Sequence, residues 1–171
     1  SESLRDRIAA GAILVKPGIE RFDGDAVVFT DGSRVQADLV VWATGYKITF
    51  PFLDEELVAA ENNELPLWKR TVHPDIPGLY FIGLVQPVGA LMPLSEAQGA
   101  WVADMLSGAY VAPPEQEIRA QMTRDHDSNK RQFYASPRHT MEVDFDRYLW
   151  DLARERKRGN VRAEARAGFN A

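Results

Sequence analysis

Cysteine is absent from the 171 residues, and this absence excludes several classes of protein at once. There can be no disulfide scaffold, no thiolate metal site and no cysteine nucleophile, and the composition fits a reducing, cytoplasmic location. No apolar run approaches the ~20 residues of a membrane span. No basic segment followed by an apolar stretch indicates a signal peptide. The sequence therefore predicts neither a membrane span nor secretion.

A basic excess is also missing, because 20 Lys and Arg stand against 25 Asp and Glu, a formal net charge of −5. Without surplus positive charge to neutralise phosphates, a nucleic-acid partner is not expected. The three histidines, His73, His126 and His139, are too scattered for a metal-ligand spacing, so no metal site is predicted. Hydrophobic residues make up 45% of the chain, which excludes disorder and allows a real core.

Closely spaced glycines are the third absence. No two of the 12 glycines are separated by a single residue, so the Gly-x-Gly-x-x-Gly turn cannot occur. That turn feeds a helix N-terminus and binds the pyrophosphate of dinucleotides. A complete dinucleotide site is therefore not expected within these residues.

The N-terminal half is rich in patterns typical of β-structure, after a short helix-like start. Asp31-Gly32 lies between β-prone runs and predicts a hairpin, since Asp-Gly tolerates positive φ. Three continuous apolar runs predict strands: Ala12–Val15, Leu39–Ala43 and Leu79–Ile82. We expect Leu39–Ala43 and Leu79–Ile82 to be buried neighbours in one sheet. Residues 44–78 look irregular and carry an acidic patch that we interpret as a solvated face.

Three helices are predicted to follow. The first has a capping-box pattern at Ser95 and Gln98 and ends at Gly108. Its apolar face comprises Leu94, Ala97, Trp101, Val102 and Met105. The second follows Pro113-Pro114, and the third follows Asp144; their apolar positions are Ile118, Met122, Phe145, Tyr148, Leu149 and Leu152. Residues 154–171 are charged and interrupted by glycine, so we expect them to lack regular structure. The larger apolar side chains are expected in the core, namely Trp101, Met105, Phe133, Tyr148 and Trp150.

Three segments combine residue types that could serve a ligand. Thr44-Gly45 follows a predicted strand, where glycine allows close backbone approach. The segment from Gly83 to Gln86, followed by the helix start at Leu94-Ser95, offers backbone N–H groups and a helix dipole. Residues 136–140, Ser-Pro-Arg-His-Thr, pair a histidine with an arginine. Each segment also has a purely structural interpretation as a turn, a cap or a loop contact.

Read in order, these segments resemble one known family. Residues 38–46, Asp-Leu-Val-Val-Trp-Ala-Thr-Gly-Tyr, are similar to a strand and turn of flavin-containing monooxygenases. Residues 79–87, with Pro93, Glu96 and Gln98, resemble that family's C-terminal flavin-side segment. Residues 134–152 resemble its closing helical region. The resemblance covers residues ~12–155 and identifies the chain as the C-terminal portion of such an enzyme.

The resemblance implies a fold, cofactors and a reaction. The fold class would be α/β, part of a Rossmann-like flavoprotein with two dinucleotide-binding domains. Residues 1–45 would be the tail of the NADP-binding domain and the return to the FAD domain, 46–110 the end of the FAD domain, and 111–171 a helical extension. Thr44, Gly45, Gln86, Leu94 and Ser95 would lie near the flavin. Such enzymes use FAD, NADPH and oxygen to oxygenate an amine or sulfide through a C4a-hydroperoxyflavin. The catalytic residues would lie upstream of residue 1.

Other classes remain open. Residues 38–46 alone would also fit a Baeyer–Villiger monooxygenase. A disulfide-reductase-type flavoprotein shares the hairpin and the glycine turn, but Leu84 follows Gly83 where that class has aspartate. The chain could also be a non-catalytic module that self-associates through an exposed apolar face.

Overall fold

The computed structural model describes residues 2–133 and 140–169, which divide into two compact units at Thr44 and Gly45. The N-terminal unit contains one helix and three strands, and the C-terminal unit contains three long helices, one 3₁₀ turn and two very short strands. Strands thus lie mainly in the first half and helices in the second, as predicted. Whether these units belong to the NADP and FAD domains stays a prediction.

The N-terminal unit is built around an antiparallel sheet. Helix α1 (Glu2–Ala9) precedes β1 (Ile19–Asp23), β2 (Ala26–Phe29) and β3 (Arg34–Gln36), in the spatial order β1-β2-β3. The hairpin at Asp31-Gly32 is confirmed: Gly32 has φ 80°, and the Asp31 carboxylate accepts a hydrogen bond from the Ser33 N–H at 2.9 Å. The preceding hairpin, which turns at Gly24 with φ 63°, was not predicted.

Two of the predicted strands in this unit are wrong. Residues 12–15 and 39–43 have no strand assignment. In the second run, exposure reaches 80% at Leu39, 77% at Val41 and 67% at Trp42. The Trp42 ring contacts the Phe22 ring at 5.5 Å. A strand buried on both faces needs hydrogen-bonding neighbours and covering layers, and no described element provides them.

The C-terminal unit begins with irregular chain and ends in helices. A 3₁₀ turn (Glu61–Asn63) is followed by β4 (Gln86–Pro87), α2 (Met92–Ser107), α3 (Glu115–Gln132), β5 (Glu142–Val143) and α4 (Phe145–Phe169). Strands β4 and β5 pair in parallel. The predicted apolar faces of the three helices are confirmed, because all of their residues except Val102 pack into one core with Trp68, Val85 and Tyr110. Val102 is buried as well, outside this cluster.

The predicted strand at Leu79–Ile82 is also wrong. Only Tyr80 pairs, as an isolated bridge to Val72, and the run lies in a different compact unit from residues 39–43. The two runs are therefore not neighbouring strands of one sheet. Among the described residues, the sheets are the antiparallel trio and the short β4–β5 pair.

Helix α4 corrects two further predictions about the C-terminal end. Residues 154–169 are helical rather than loose. The glycine that looked like an interruption, Gly159, makes room for a neighbouring side chain. A Cβ on Gly159 would lie 1.8 Å from Cε2 of Tyr110, whose ring covers that position. Trp150 is 60% exposed instead of buried, and Arg154 lies over its ring at 5.0 Å.

Candidate functional site

The turn predicted near a cofactor has glycine geometry. Gly45 has φ 88°, and Thr44 and Gly45 are both exposed. Asn63 anchors the chain that follows: its side-chain oxygen accepts from the Ile48 N–H at 2.8 Å, and its amide donates to the Tyr46 carbonyl at 2.9 Å. The backbone after Gly45 is therefore held by one side chain from the 3₁₀ turn.

The second predicted segment is a loop packed against the start of α2. Gly83 has φ 79°, and a Cβ there would lie 3.2 Å from Oγ of Ser95. Helix α2 begins at Met92, three residues before the predicted cap, because Pro93 fits the first helical turn. The predicted capping box is therefore wrong: the Ser95 hydroxyl donates to the Leu91 carbonyl at 3.3 Å inside the helix.

The remaining predicted cofactor residues have different surroundings. Gln86 is exposed on β4, where its N–H donates to the Met141 carbonyl at 2.8 Å. Leu94 is fully buried in the core, so only its backbone could face a ligand. Ser95 is half-buried beside Gly83. The structure thus brings the Gly83 loop and Ser95 together, with Gln86 three residues along the same loop.

Gln98 has a role that the sequence interpretation missed. It is fully buried, its Oε1 accepts from the Gly83 N–H at 2.8 Å, and its Nε2 donates to the Tyr148 hydroxyl at 2.7 Å. The available signal was its position, because Gln98 is a polar residue inside the apolar stripe of α2. Such a buried amide must find partners, since an unpaired one costs about 1–3 kcal/mol.

A strained turn lies at the other end of these contacts. Lys69 and Arg70 both have positive φ, 50° and 55°, which is costly for residues with side chains. The Tyr148 hydroxyl donates to the Lys69 carbonyl at 2.6 Å. The Lys69 ammonium, whose side chain is 8% exposed, donates to Asp151 at 2.7 Å and Asp125 at 3.2 Å. Nothing in the sequence indicated this turn.

Burial perturbs the titration of both core tyrosines. It raises the pKa of Tyr148 above that of an ordinary phenol. Burial also raises the pKa of Tyr110, and the neighbouring Glu155 carboxylate adds to the effect. Tyr110 donates to Glu155 at 2.9 Å, and Arg162 donates to the same carboxylate at 2.6 Å. Both phenols are therefore neutral hydrogen-bond donors at physiological pH.

A cavity of about 740 Å³ lies between α3, α4 and residues 62–70. Gln86, Leu94 and Ser95 are not among its described lining residues, whereas Lys69 and Tyr148 are. Phe133 and Thr140 both line it. The Ser-Pro-Arg-His segment predicted as a site, residues 136–139, lies outside the described residues. Within residues 2–133 and 140–169, no acidic or histidine cluster could hold a metal ion, and no helix has the length and apolarity to cross a membrane.

Comparison with known proteins decides the family. Residues 1–159 match the family described as FMO-like, flavin-binding monooxygenase-like. The chain belongs to this family. It spans about 29% of the length of the curated relatives that it matches.

Named relatives of this flavin-binding monooxygenase-like chain come from several mammals. It is 36% identical over 156 residues to flavin-containing monooxygenase 5 of Cavia porcellus, covering 90% of this chain and 29% of the relative. The identity to the Mus musculus and Homo sapiens proteins of the same name is 38% and 36%, with the same coverage. These relatives are enzymes by name.

A solved structure agrees with the family. S-allyl-L-cysteine S-oxygenase from Allium sativum superposes with a TM-score of 0.63 at 29% identity, covering 81% of this chain and 33% of that one. This likeness supports a mixed α/β fold. A Rossmann-like sheet is not seen among the described residues.

Proposed function

We propose that the chain is the C-terminal part of an FAD- and NADPH-dependent monooxygenase that oxygenates a soft nitrogen or sulfur centre. The single observation that carries the proposal is the family match over residues 1–159. An S-oxygenase among the structural neighbours favours nucleophilic small molecules, amines or sulfides, as substrates. Molecular oxygen is the co-substrate.

The flavin would be held by the backbone on the loops around Gly45 and Gly83. Thr44, Gly45, Gln86, Leu94 and Ser95 stay our proposed contacts, with Leu94 contributing its backbone only. The residues fit one edge of a flavin, because positive-φ glycines expose backbone and no side chain caps the start of α2. Exposed apolar side chains beside that loop suit the ring: Ile82, Val88, Leu91 and Met92.

The residues of this chain do not fit the pyrophosphate and adenosine part of FAD or NADPH. The chain has no Gly-x-Gly-x-x-Gly turn, so no pyrophosphate site of that kind exists in it. When bound in the longer protein, the flavin would supply the oxygen-activating redox chemistry. This chain's residues would orient the ring and exclude water from one side of it.

The domain assignment follows from the same proposal. Residues 1–45 would close the NADP-binding domain and return to the FAD domain, 46–110 would complete the FAD domain, and 111–171 would form a helical extension. A cytoplasmic location stays a prediction. A Baeyer–Villiger reaction is the nearest alternative, and product analysis with a ketone beside a sulfide would distinguish the two.

The first experiment tests the longer protein. It should consume NADPH and oxygen and oxygenate an amine or a sulfide. Gly45→Val should weaken FAD retention, because a branched side chain is strained at φ 88° and would lie where we propose that the flavin approaches the backbone. Gly78→Val is the matched control, since Gly78 has φ 84° with no heavy atom near its missing Cβ and is not a proposed contact. If the Gly45→Val protein retains as much flavin as the wild type, Gly45 is not a flavin contact.

The second experiment tests the 171-residue chain by itself. We expect no saturable FAD binding at low micromolar concentration and no NADPH oxidation. A few backbone hydrogen bonds, each worth about 1 kcal/mol, cannot replace a pyrophosphate site when a tenfold affinity needs about 1.4 kcal/mol. Flavin fluorescence titration measures this, and light scattering of the same sample tests the expected self-association through exposed apolar surface.

A further inference from the structure

One buried chain of hydrogen bonds joins the Gly83 loop to helix α4. The Gly83 N–H donates to Oε1 of Gln98 at 2.8 Å, and Nε2 of Gln98 donates to the Tyr148 hydroxyl at 2.7 Å. The Tyr148 hydroxyl then donates to the Lys69 carbonyl at 2.6 Å. Four separate segments of the C-terminal unit therefore meet through three consecutive bonds.

The direction of every bond in this chain is determined by its two ends. A backbone N–H can only donate, so the oxygen of the Gln98 amide must face Gly83 and its NH₂ must face Tyr148. The Lys69 carbonyl can only accept, and at 2.6 Å it is much nearer to the Tyr148 hydroxyl than Thr71 Oγ1 at 3.5 Å, so the Tyr148 proton points to the carbonyl. Burial raises the pKa of Tyr148 and keeps that proton in place. The bonds therefore cannot reverse, and loss of the Tyr148 hydroxyl leaves the Gln98 NH₂ without this partner.

The Lys69 end is rigidly anchored to α4. Lys69 has φ 50°, and its ammonium binds Asp151, which lies one helical turn beyond Tyr148. Helix α4 therefore contacts the Lys69 turn at both its carbonyl and its side chain. The Lys69 side chain is 8% exposed, whereas the Asp151 side chain is 38% exposed, so only the lysine of this pair is buried. This geometry makes the turn a stable reference point for Tyr148.

The Gly83 end lies where we propose the flavin to bind. Gly83 has φ 79° and approaches Ser95 so closely that a Cβ would lie 3.2 Å from its hydroxyl. Gln86 follows three residues later. Gln98 is thus a buried side chain that orients the backbone between a proposed contact on the loop and another on α2.

We propose that Tyr148 is a positioning residue, which acts through Gln98 on the Gly83 loop and so aligns the flavin-side backbone. This inference rests on the function proposed above. Tyr148 is remote in sequence, and its hydroxyl bonds Gln98 and Lys69 rather than a proposed flavin contact, so its effect passes through one amide. It gives the helical extension a part in cofactor binding.

The test compares two buried tyrosines in the longer protein. Tyr148→Phe should raise the FAD dissociation constant about tenfold, which corresponds to about 1.4 kcal/mol of binding free energy. It should also shift the visible absorption band of the bound flavin. Tyr110→Phe is the matched control. Tyr110 is 5% exposed against 8% for Tyr148, and its hydroxyl bonds Glu155 and Arg162, both on α4. This control should lose stability but keep the FAD affinity and the flavin spectrum.

Non-additivity separates a relay from two independent defects. Gln98→Leu removes the acceptor of the Gly83 N–H and should weaken FAD binding at least as much as Tyr148→Phe. Adding Tyr148→Phe to Gln98→Leu should cause no further loss of affinity, because the relay is already broken. Equal FAD affinity in Tyr148→Phe and Tyr110→Phe, or additive losses in the double variant, would overturn the proposal.

A second measurement does not depend on FAD. In the 171-residue chain, amide hydrogen exchange of Gly83 should accelerate about tenfold in Tyr148→Phe and stay unchanged in Tyr110→Phe. Unchanged exchange in Tyr148→Phe would contradict the relay even if the longer protein binds FAD. A wild-type longer protein that binds no FAD would instead refute the proposed function, so the two failures are distinguishable.

Discussion

The two compact units differ in how far their apolar segments are buried. In the N-terminal unit, the buried hydrophobic residues are Ala26, Val27 and Val28, and the run at 39–42 is exposed. In the C-terminal unit, apolar residues of α2, α3 and α4 enclose Trp68 and Trp101, whose rings are 5.0 Å apart. A helix satisfies its backbone within its own segment and needs only one covered face. An apolar strand needs partners on its edges and layers on its faces.

The largest expected effect lies at the helix crossing of the C-terminal unit. Gly159→Ala should destabilise that unit by more than about 3 kcal/mol, because the new methyl group would overlap the Tyr110 ring. Gly99→Ala, in α2 with no heavy atom within 4 Å, should be stabilising by up to about 1 kcal/mol. Urea unfolding of both variants measures this. Equal stability of the two would show that the close contact is absent in solution.

A pair of leucines tests the comparison between units directly. Leu152→Ala should cost about 3 kcal/mol, since the side chain is 1% exposed in the core. Leu39→Ala, at 80% exposure, should stay within about 0.5 kcal/mol of wild type. Thermal unfolding of the 171-residue chain, with all variants at one protein concentration, is the measurement. If Leu39→Ala lowers the free energy of unfolding by clearly more than about 0.5 kcal/mol, residues 39–43 are covered in solution.

A carboxylate of the C-terminal unit should give a pH signature. The hydrogen bond from Arg156 lowers the pKa of Asp104, and the two guanidinium contacts are 2.6 and 3.1 Å long. Since the folded pKa is below the unfolded one, this stabilisation is present above pH ~4 and lost as pH falls through the folded pKa. Asp104→Asn should therefore cost about 1.5 kcal/mol at pH 7. The gap to wild type should close in urea titrations at acidic pH; a constant gap would contradict the assignment.

The smallest effect is expected in the N-terminal hairpin. Gly32→Ala should cost about 1 kcal/mol, because φ is 80° although no heavy atom is near. Gly18→Ala is the control, with a negative or extended φ and Thr30 at 3.6 Å, and should be neutral. Hydrogen exchange of the Val27 and Val35 amides reports on the β2–β3 pair. Equal protection in both variants would show that the turn does not limit hairpin stability.

Local signals predicted the structure well where the structure is local. The apolar stripe from Leu94 to Met105 and the C-terminal Gly108, with φ 78°, are as expected for a helix. The Asp31-Gly32 hairpin follows from φ preference alone. The strand predictions for residues 39–43 and 79–82 were wrong because an apolar run indicates only that a segment prefers burial. It does not show which segment would supply its hydrogen-bonding partners.

The site divides in the same way. Glycines at 45 and 83 were identified from their positions after apolar runs, and the structure gives both a positive φ. The Lys69 turn and the pairing of Gln98 with Tyr148 were not identified, since their partners lie 50 or more residues apart in the chain. No periodicity or spacing records a contact at that separation.

Residue types alone were enough to predict the three long helices, one hairpin, the family and the absence of a glycine-rich pyrophosphate turn. Each depends on residue types at short spacing, where propensity and pattern act. Which polar residues are buried, and which partners they bind, depends on contacts that form only when the chain folds. Gln98, Lys69 and Tyr148 lose water together, and a buried polar group is stable only when folding brings it a partner of the right geometry.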